Sequence, residues 1–117
     1  TVPPPTTTTT VPPTTTTTTT TAVPNSAPIA VNDTASGNIG STITVRVLDN
    51  DFDPDGDALT VVPFGPVAVD GGTVTCDEKR CWYWGSEDWD GSASSFSYTV
   101  DDGRGGTAQA MATVTGS

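Results

Sequence analysis

Residues 96–115 read Phe-Ser-Tyr-Thr-Val-Asp-Asp-Gly-Arg-Gly-Gly-Thr-Ala-Gln-Ala-Met-Ala-Thr-Val-Thr, two alternating runs on either side of a glycine-rich turn. Phe96, Tyr98 and Val100 alternate with Ser97 and Thr99; Ala108, Ala110, Ala112 and Val114 alternate with mostly polar partners. A period of two sends successive side chains to opposite faces, so each run is a strand with one face buried. The same period recurs upstream. Ile43, Val45 and Val47 alternate with Thr42, Thr44 and Arg46, and Leu59 with Val61 and Val74 with Cys76 follow. Turn residues separate these runs at 38–40, 55–56, 70–72, 90–91 and 102–106. No window carries a helical period of useful length. The chain is therefore read as all-β, an antiparallel β-sandwich of about seven short strands.

Residues 1–26 are almost wholly Thr and Pro, which leaves residues 27–117 for one small domain. Threonine runs at 6–10 and 14–21 are broken by prolines at 3–5, 12–13 and 24. Such a segment has no core to bury. It is expected to be an extended stalk or linker reaching up to roughly 80 Å if polyproline-like, either bare or carrying O-linked sugars. Thr1 stands where an initiator Met would, so a processed chain or a piece of a longer protein is expected.

Twelve Asp and two Glu against Arg46, Lys79, Arg80 and Arg104 give a net charge of −10. Nucleic acid and anionic membrane surfaces are poor partners for such a chain, and cations or basic surfaces better ones. Having no His, it has no imidazole for acid–base chemistry or metal ligation. No run approaches the roughly 20 apolar residues of a membrane helix, so no membrane insertion by this segment is expected. Cys76 and Cys81 flank residues 77–80 within what reads as a hairpin. Residues closing a four-residue loop lie near disulfide distance, which implies an oxidising compartment; two reduced, buried thiols are the other reading. Two Cys without His cannot complete a zinc site.

Residues 49–57, Asp-Asn-Asp-Phe-Asp-Pro-Asp-Gly-Asp, place five carboxylates in nine positions. Alternating Asp residues around a glycine turn suit Ca²⁺, which takes about six to eight oxygen ligands, better than Mg²⁺. Otherwise they form a solvated acidic loop that resists strand-to-strand aggregation. Asp51, Asp53, Asp55 and Gly56 match the start of an EF-hand loop. Its final ligand position holds Val62 instead of a bidentate Glu, however, and both flanks read as strands.

Taken in order, residues 30–33, 47–59 and 72–74, Tyr83, and residues 89–91, 96–100 and 102–107 resemble the cadherin-like or Ig-like tandem repeats of bacterial surface adhesins and large secreted proteins. The resemblance covers essentially all of residues 27–114. It implies an Ig-like/cadherin-like β-sandwich that binds calcium and serves as a rigid spacer or adhesion unit, extracellular in a secreted or cell-surface protein. It suggests Asp33 and Asp102 as metal ligands beside Asp51, Asp53, Asp55 and Asp57, and makes Tyr83 and Trp89 core aromatics. Neighbouring domains of the same chain, other copies, or cell-surface glycans or proteins would be its partners. Ala93, Ser94 and Ser95 depart from the pattern, which often has an Asp there, and the cysteine pair is a second departure.

With Cys81 and Tyr83 inward, Trp82 and Trp84 share the opposite face of their strand, about 7 Å apart. Open to solvent, they would form a platform for a sugar ring, and the alternative function is a carbohydrate-binding module. Otherwise they cover a neighbouring strand, pack on the stems of Lys79 or Arg80, or meet the next domain. Asn32-Asp33-Thr34 is a formal N-glycosylation sequon, but a sugar there would crowd the metal site. Glu87 and Asp88 diverge too much for glycoside hydrolysis, and nothing resembles a base-activated nucleophile, so no enzyme is expected.

Overall fold

In the computed structural model, which describes residues 24–117, the alternating runs become strands of two packed sheets; of the stalk expected over residues 1–26, residues 1–23 lie outside the described residues. In chain order the strands are β1 (Asp33–Gly37), β2 (Ile43–Val45), β3 (Thr60–Val61), β4 (Phe64–Val69), β5 (Gly72–Cys76), β6 (Cys81–Gly85), β7 (Ser94–Asp101) and β8 (Thr107–Gly116). One sheet has the order β1-β8-β7-β3, the other β2-β6-β5-β4. Phe96, Tyr98, Val100, Ala110, Ala112 and Val114 turn inward from β7 and β8, while Ser95, Ser97, Gln109 and Met111 face out. Ile43, Val45, Val74, Cys76, Cys81 and Tyr83 meet them from the second sheet. The sandwich expected from the alternation is the fold observed.

Two features go beyond that expectation. β1 joins the far side of β8 in parallel register, with Asp33 opposite Ala112 and Gly37 opposite Gly116. β4 is a further strand, although Pro63, Gly65 and Pro66 break any alternation. It survives because it lies at a sheet edge, bulged between Phe64 and Val67, where a missing N–H is tolerated.

Cys76 and Cys81 face each other across β5 and β6 and form a disulfide with Cα atoms 4.0 Å apart. The Asp77 carboxylate shapes the turn between them, accepting the N–H groups of Lys79 and Arg80 at 2.8 and 2.9 Å. At the Gly116 end of β8 the core is closed by Trp89. Its ring stands edge-on to Tyr83 with centroids 5.0 Å apart, and its indole N–H donates to the Ser92 carbonyl at 2.9 Å. A methyl group added to Gly71, Gly85 or Gly116 would collide with the indole. These glycines are where they are because the ring occupies the space a side chain would need. Gly85→Ala should therefore lower stability by about 1–3 kcal/mol through overpacking; an unchanged urea midpoint would show that the cradle has room to spare.

Candidate functional site

The Asp-rich loop between β2 and β3 is paired along its length with the segment leading into β1. Ile29 and Phe52 exchange backbone hydrogen bonds of 2.8 and 3.1 Å in an isolated antiparallel bridge. On either side of it, loop side chains replace backbone groups. The Ser26 N–H donates to Asp55 Oδ2 and the Val31 N–H to Asp51 Oδ1, both at 2.7 Å, and Asn50 Nδ2 donates to the Asn32 carbonyl at 3.0 Å. Inside the loop, Asp53 Oδ1 accepts the N–H groups of Asp55 and Asp57 at 2.8 and 3.3 Å. Gly56, at a φ of 80° that glycine adopts without strain, donates its N–H to the Asp53 carbonyl at 2.9 Å. This fold-back brings one carboxylate oxygen from each of Asp53, Asp55 and Asp57 within 4.8 Å of one another.

Two oxygens of that triad, Asp53 Oδ2 and Asp57 Oδ2, are buried without a hydrogen-bond partner, and so is Asn25 Oδ1. A buried acceptor left unpaired costs about 1–3 kcal/mol. Asn25 is held by Asp102: its Nδ2 donates to Asp102 Oδ2 at 2.7 Å, while Asp102 Oδ1 accepts the N–H groups of Arg104 and Gly106 at 2.7 and 2.9 Å. The Asn25 amide, first among these donors, holds the Asp102 carboxyl below its ordinary pKa. Arg104 Nη1 reaches Asp57 Oδ1 at 3.5 Å, the one ion pair among the described residues. Asp102 thus ties the incoming segment and the last turn to the triad's neighbourhood, with both its own oxygens engaged. Nothing in the sequence singles out Asn25, which follows the Thr/Pro run without a break in composition.

Asp33 and Asp51 converge elsewhere, on the Tyr98 hydroxyl. It lies 2.6 Å from Asp33 Oδ2, 3.1 and 3.4 Å from the two Asp51 oxygens, 3.0 Å from the Val31 carbonyl and 3.2 Å from that of Val47. A phenol has one proton to donate, so these oxygens compete for it. Burial pushes both carboxyls up from their ordinary pKa, and burial beside these carboxylates pushes the phenol up as well, which keeps it protonated. The six Asp residues singled out in the sequence thus fall into three places: the triad of Asp53, Asp55 and Asp57, the pair on Tyr98, and Asp102. At the sequon, Asn32 Oδ1 accepts the Met111 N–H at 2.9 Å and so docks onto β8.

Trp82 and Trp84 lie on the outer face of the second sheet, Trp84 with 38% of its surface exposed. Thr44 and Thr75 stand on either side of Trp82 in register, and Thr73 stands beside Trp84.

A family model described as Bacterial Ig domain matches residues 25–115. No curated protein and no solved structure matches the chain.

The Tyr98 cluster generates two expectations. Tyr98→Phe strands acceptors that now share its proton and should destabilise the fold by about 1–3 kcal/mol. A carboxyl whose pKa is raised by folding contributes stability that is full below its unfolded pKa and is lost as pH rises through its folded value. In EDTA, the urea midpoint should therefore carry a component from Asp33 and Asp51 that declines as pH rises out of the carboxylate range towards neutral. Asp33→Asn should flatten that decline, and an identical pH profile for variant and wild type would refute it.

Proposed function

The chain belongs to the bacterial Ig domain family, and we propose that it serves as a calcium-stabilised, non-enzymatic module of a larger secreted or surface protein, acting as a spacer or adhesion unit. Domains of this kind are generally non-enzymatic and typically surface or extracellular, and the Cys76–Cys81 disulfide is consistent with an oxidising compartment. Among the described residues no helix is long and apolar enough to cross a membrane.

The calcium reading is carried by one observation: Asp53 Oδ2, Asp57 Oδ2 and Asn25 Oδ1 are buried acceptors without donors, at and beside a cluster of three carboxylates. A hard divalent cation is the partner that satisfies several oxygens while bringing no acceptor of its own. Asp53, Asp55, Asp57 and Asn25 would hold it, with backbone carbonyls and water completing the shell. When bound, the ion supplies positive charge to a loop whose carboxylates repel one another within a chain of net charge −10. Asp33 and Asp51, engaged by Tyr98, and Asp102, engaged by N–H donors, position the segments around the ion. Because Asn25 precedes the sandwich while the triad lies between β2 and β3, one ion would join the incoming segment to the domain. The module and its lead-in would then be one stiff unit, suited to spacing neighbouring domains or meeting other copies.

Extracellular modules bind calcium at about 0.1 to 1 mM, so the full chain should unfold at a higher temperature in millimolar calcium than in EDTA. The gain should approach 2.7 kcal/mol where calcium reaches about 100 times its dissociation constant. Asp57→Asn should abolish the gain while leaving the EDTA midpoint close to that of the wild type. A wild-type midpoint indifferent to calcium would sink the proposal and leave the triad as a solvated acidic loop.

A further inference from the structure

Three of the chain's four cations, Arg46, Lys79 and Arg80, follow β2 or precede β6, the strand that carries the two tryptophans; Asp33 and Asp49 share the surface hollow that Arg46 lines. In the β2–β6 pairing Thr44 stands opposite Trp82 and Val45 opposite Cys81. One step further along come Arg46 and Arg80. Arg46 is exposed between buried Val45 and Val47, and Arg80 is partly exposed before buried Cys81, so the alternation carries both outward onto the face that bears Trp82 and Trp84. Lys79 precedes Arg80 at the hairpin tip. None of these three cations has a carboxylate partner within ion-pair distance, since the one ion pair among the described residues belongs to Arg104. Asp77 is turned to the backbone N–H groups of Lys79 and Arg80, and Glu78, exposed beside Lys79, forms no ion pair with either.

We infer that this outer face binds an acidic polysaccharide, with Trp82 and Trp84 stacking on sugar rings and Arg46 and Arg80 taking uronate carboxylates. Charge selects the class. A chain of net charge −10 repels a polyanion over most of its surface, and here it presents unpaired guanidinium groups. Arginine's planar fork matches a carboxylate with two parallel hydrogen bonds. Geometry selects the polymer. The indoles project from one strand about 7 Å apart on an open sheet face, which suits an extended chain lying across it. Thr44 and Thr75, on either side of Trp82, add hydroxyl groups at the level of the ring.

Affinity electrophoresis of the full chain in gels containing polygalacturonate, with a neutral glucan as control, tests the inference. EDTA in the gel keeps calcium from bridging polymer and protein, so the outcome is independent of the calcium proposal. The wild type should be retarded by polygalacturonate and not by the glucan, and less so as salt screens the arginines. Trp84→Ala should weaken the association about tenfold, a scale set by aromatic stacking, with an unchanged melting curve showing that the variant is folded. Arg46→Gln with Arg80→Gln should remove the preference for the acidic polymer. Absence of retardation, equal retardation by the glucan, or retardation untouched by Trp84→Ala would each overturn the inference. So would self-association without polymer that Trp84→Ala abolishes, which would assign the face to a second copy of this chain.

Discussion

Tyr98 is buried between the sheets with its hydroxyl at one end of the core, where a single proton serves the carbonyls of Val31 and Val47 and the carboxylates of Asp33 and Asp51. Those four residues belong to separate stretches of chain: the lead-in to β1, β1 itself, the turn after β2 and the Asp-rich loop. Fixing Val31 and Asp33 sets where β1 begins, and hence its register on β8. Fixing Val47 and Asp51 sets where the loop departs, and hence where Asp53, Asp55 and Asp57 converge. The arrangement of the acidic end thus follows from a neutral side chain whose ring is anchored in apolar packing. Its hydroxyl could not be moved without moving the core.

The two ends of the sandwich solve opposite problems. At the Trp89 end, apolar surface is closed by an indole set among glycines, and the one polar atom of that ring is satisfied by a backbone carbonyl. At the Tyr98 end, oxygen acceptors outnumber donors, and side-chain carboxylates stand in for the carbonyls of a missing strand partner. β8 runs from one end to the other, with Thr107 after the Asp102 turn and Gly116 against Trp89, so a single strand connects the dry end to the charged one.

Much of this was legible in the sequence. Period-two alternation marks β7 and β8 because one face of each is buried, and the same parity separates Tyr83 from Trp82 and Trp84. The disulfide was legible because closing a short hairpin is a local matter. β4 was not, because edge strands need not alternate and tolerate the prolines that otherwise argue against a strand. The parallel β1–β8 pair joins residues far apart in the chain, and no local pattern encodes such a partner. At the candidate site, composition identified the Asp-rich loop but could not divide its carboxylates between Tyr98 and the triad, since that division depends on which atoms fill their hydrogen-bonding capacity. Asn25 escaped for the same reason: its place is set by the Asp102 carboxylate, 77 positions further along.

The parallel pairing of β1 with β8 also determines how the domain would respond to being pulled. Asp33, at the start of β1, lies opposite Ala112, and Gly37 opposite Gly116 near the end of β8. In a parallel pair, the beginning of one strand and the end of the other point in opposite directions. Tension entering ahead of Asp33 and leaving after Gly116 therefore loads the hydrogen bonds between these strands together, in shear. An antiparallel pair of terminal strands joined at a common end would instead unzip one bond at a time. Rupture under shear requires several bonds to yield at once, so tension applied across β1 and β8 would meet the whole of their shared register together.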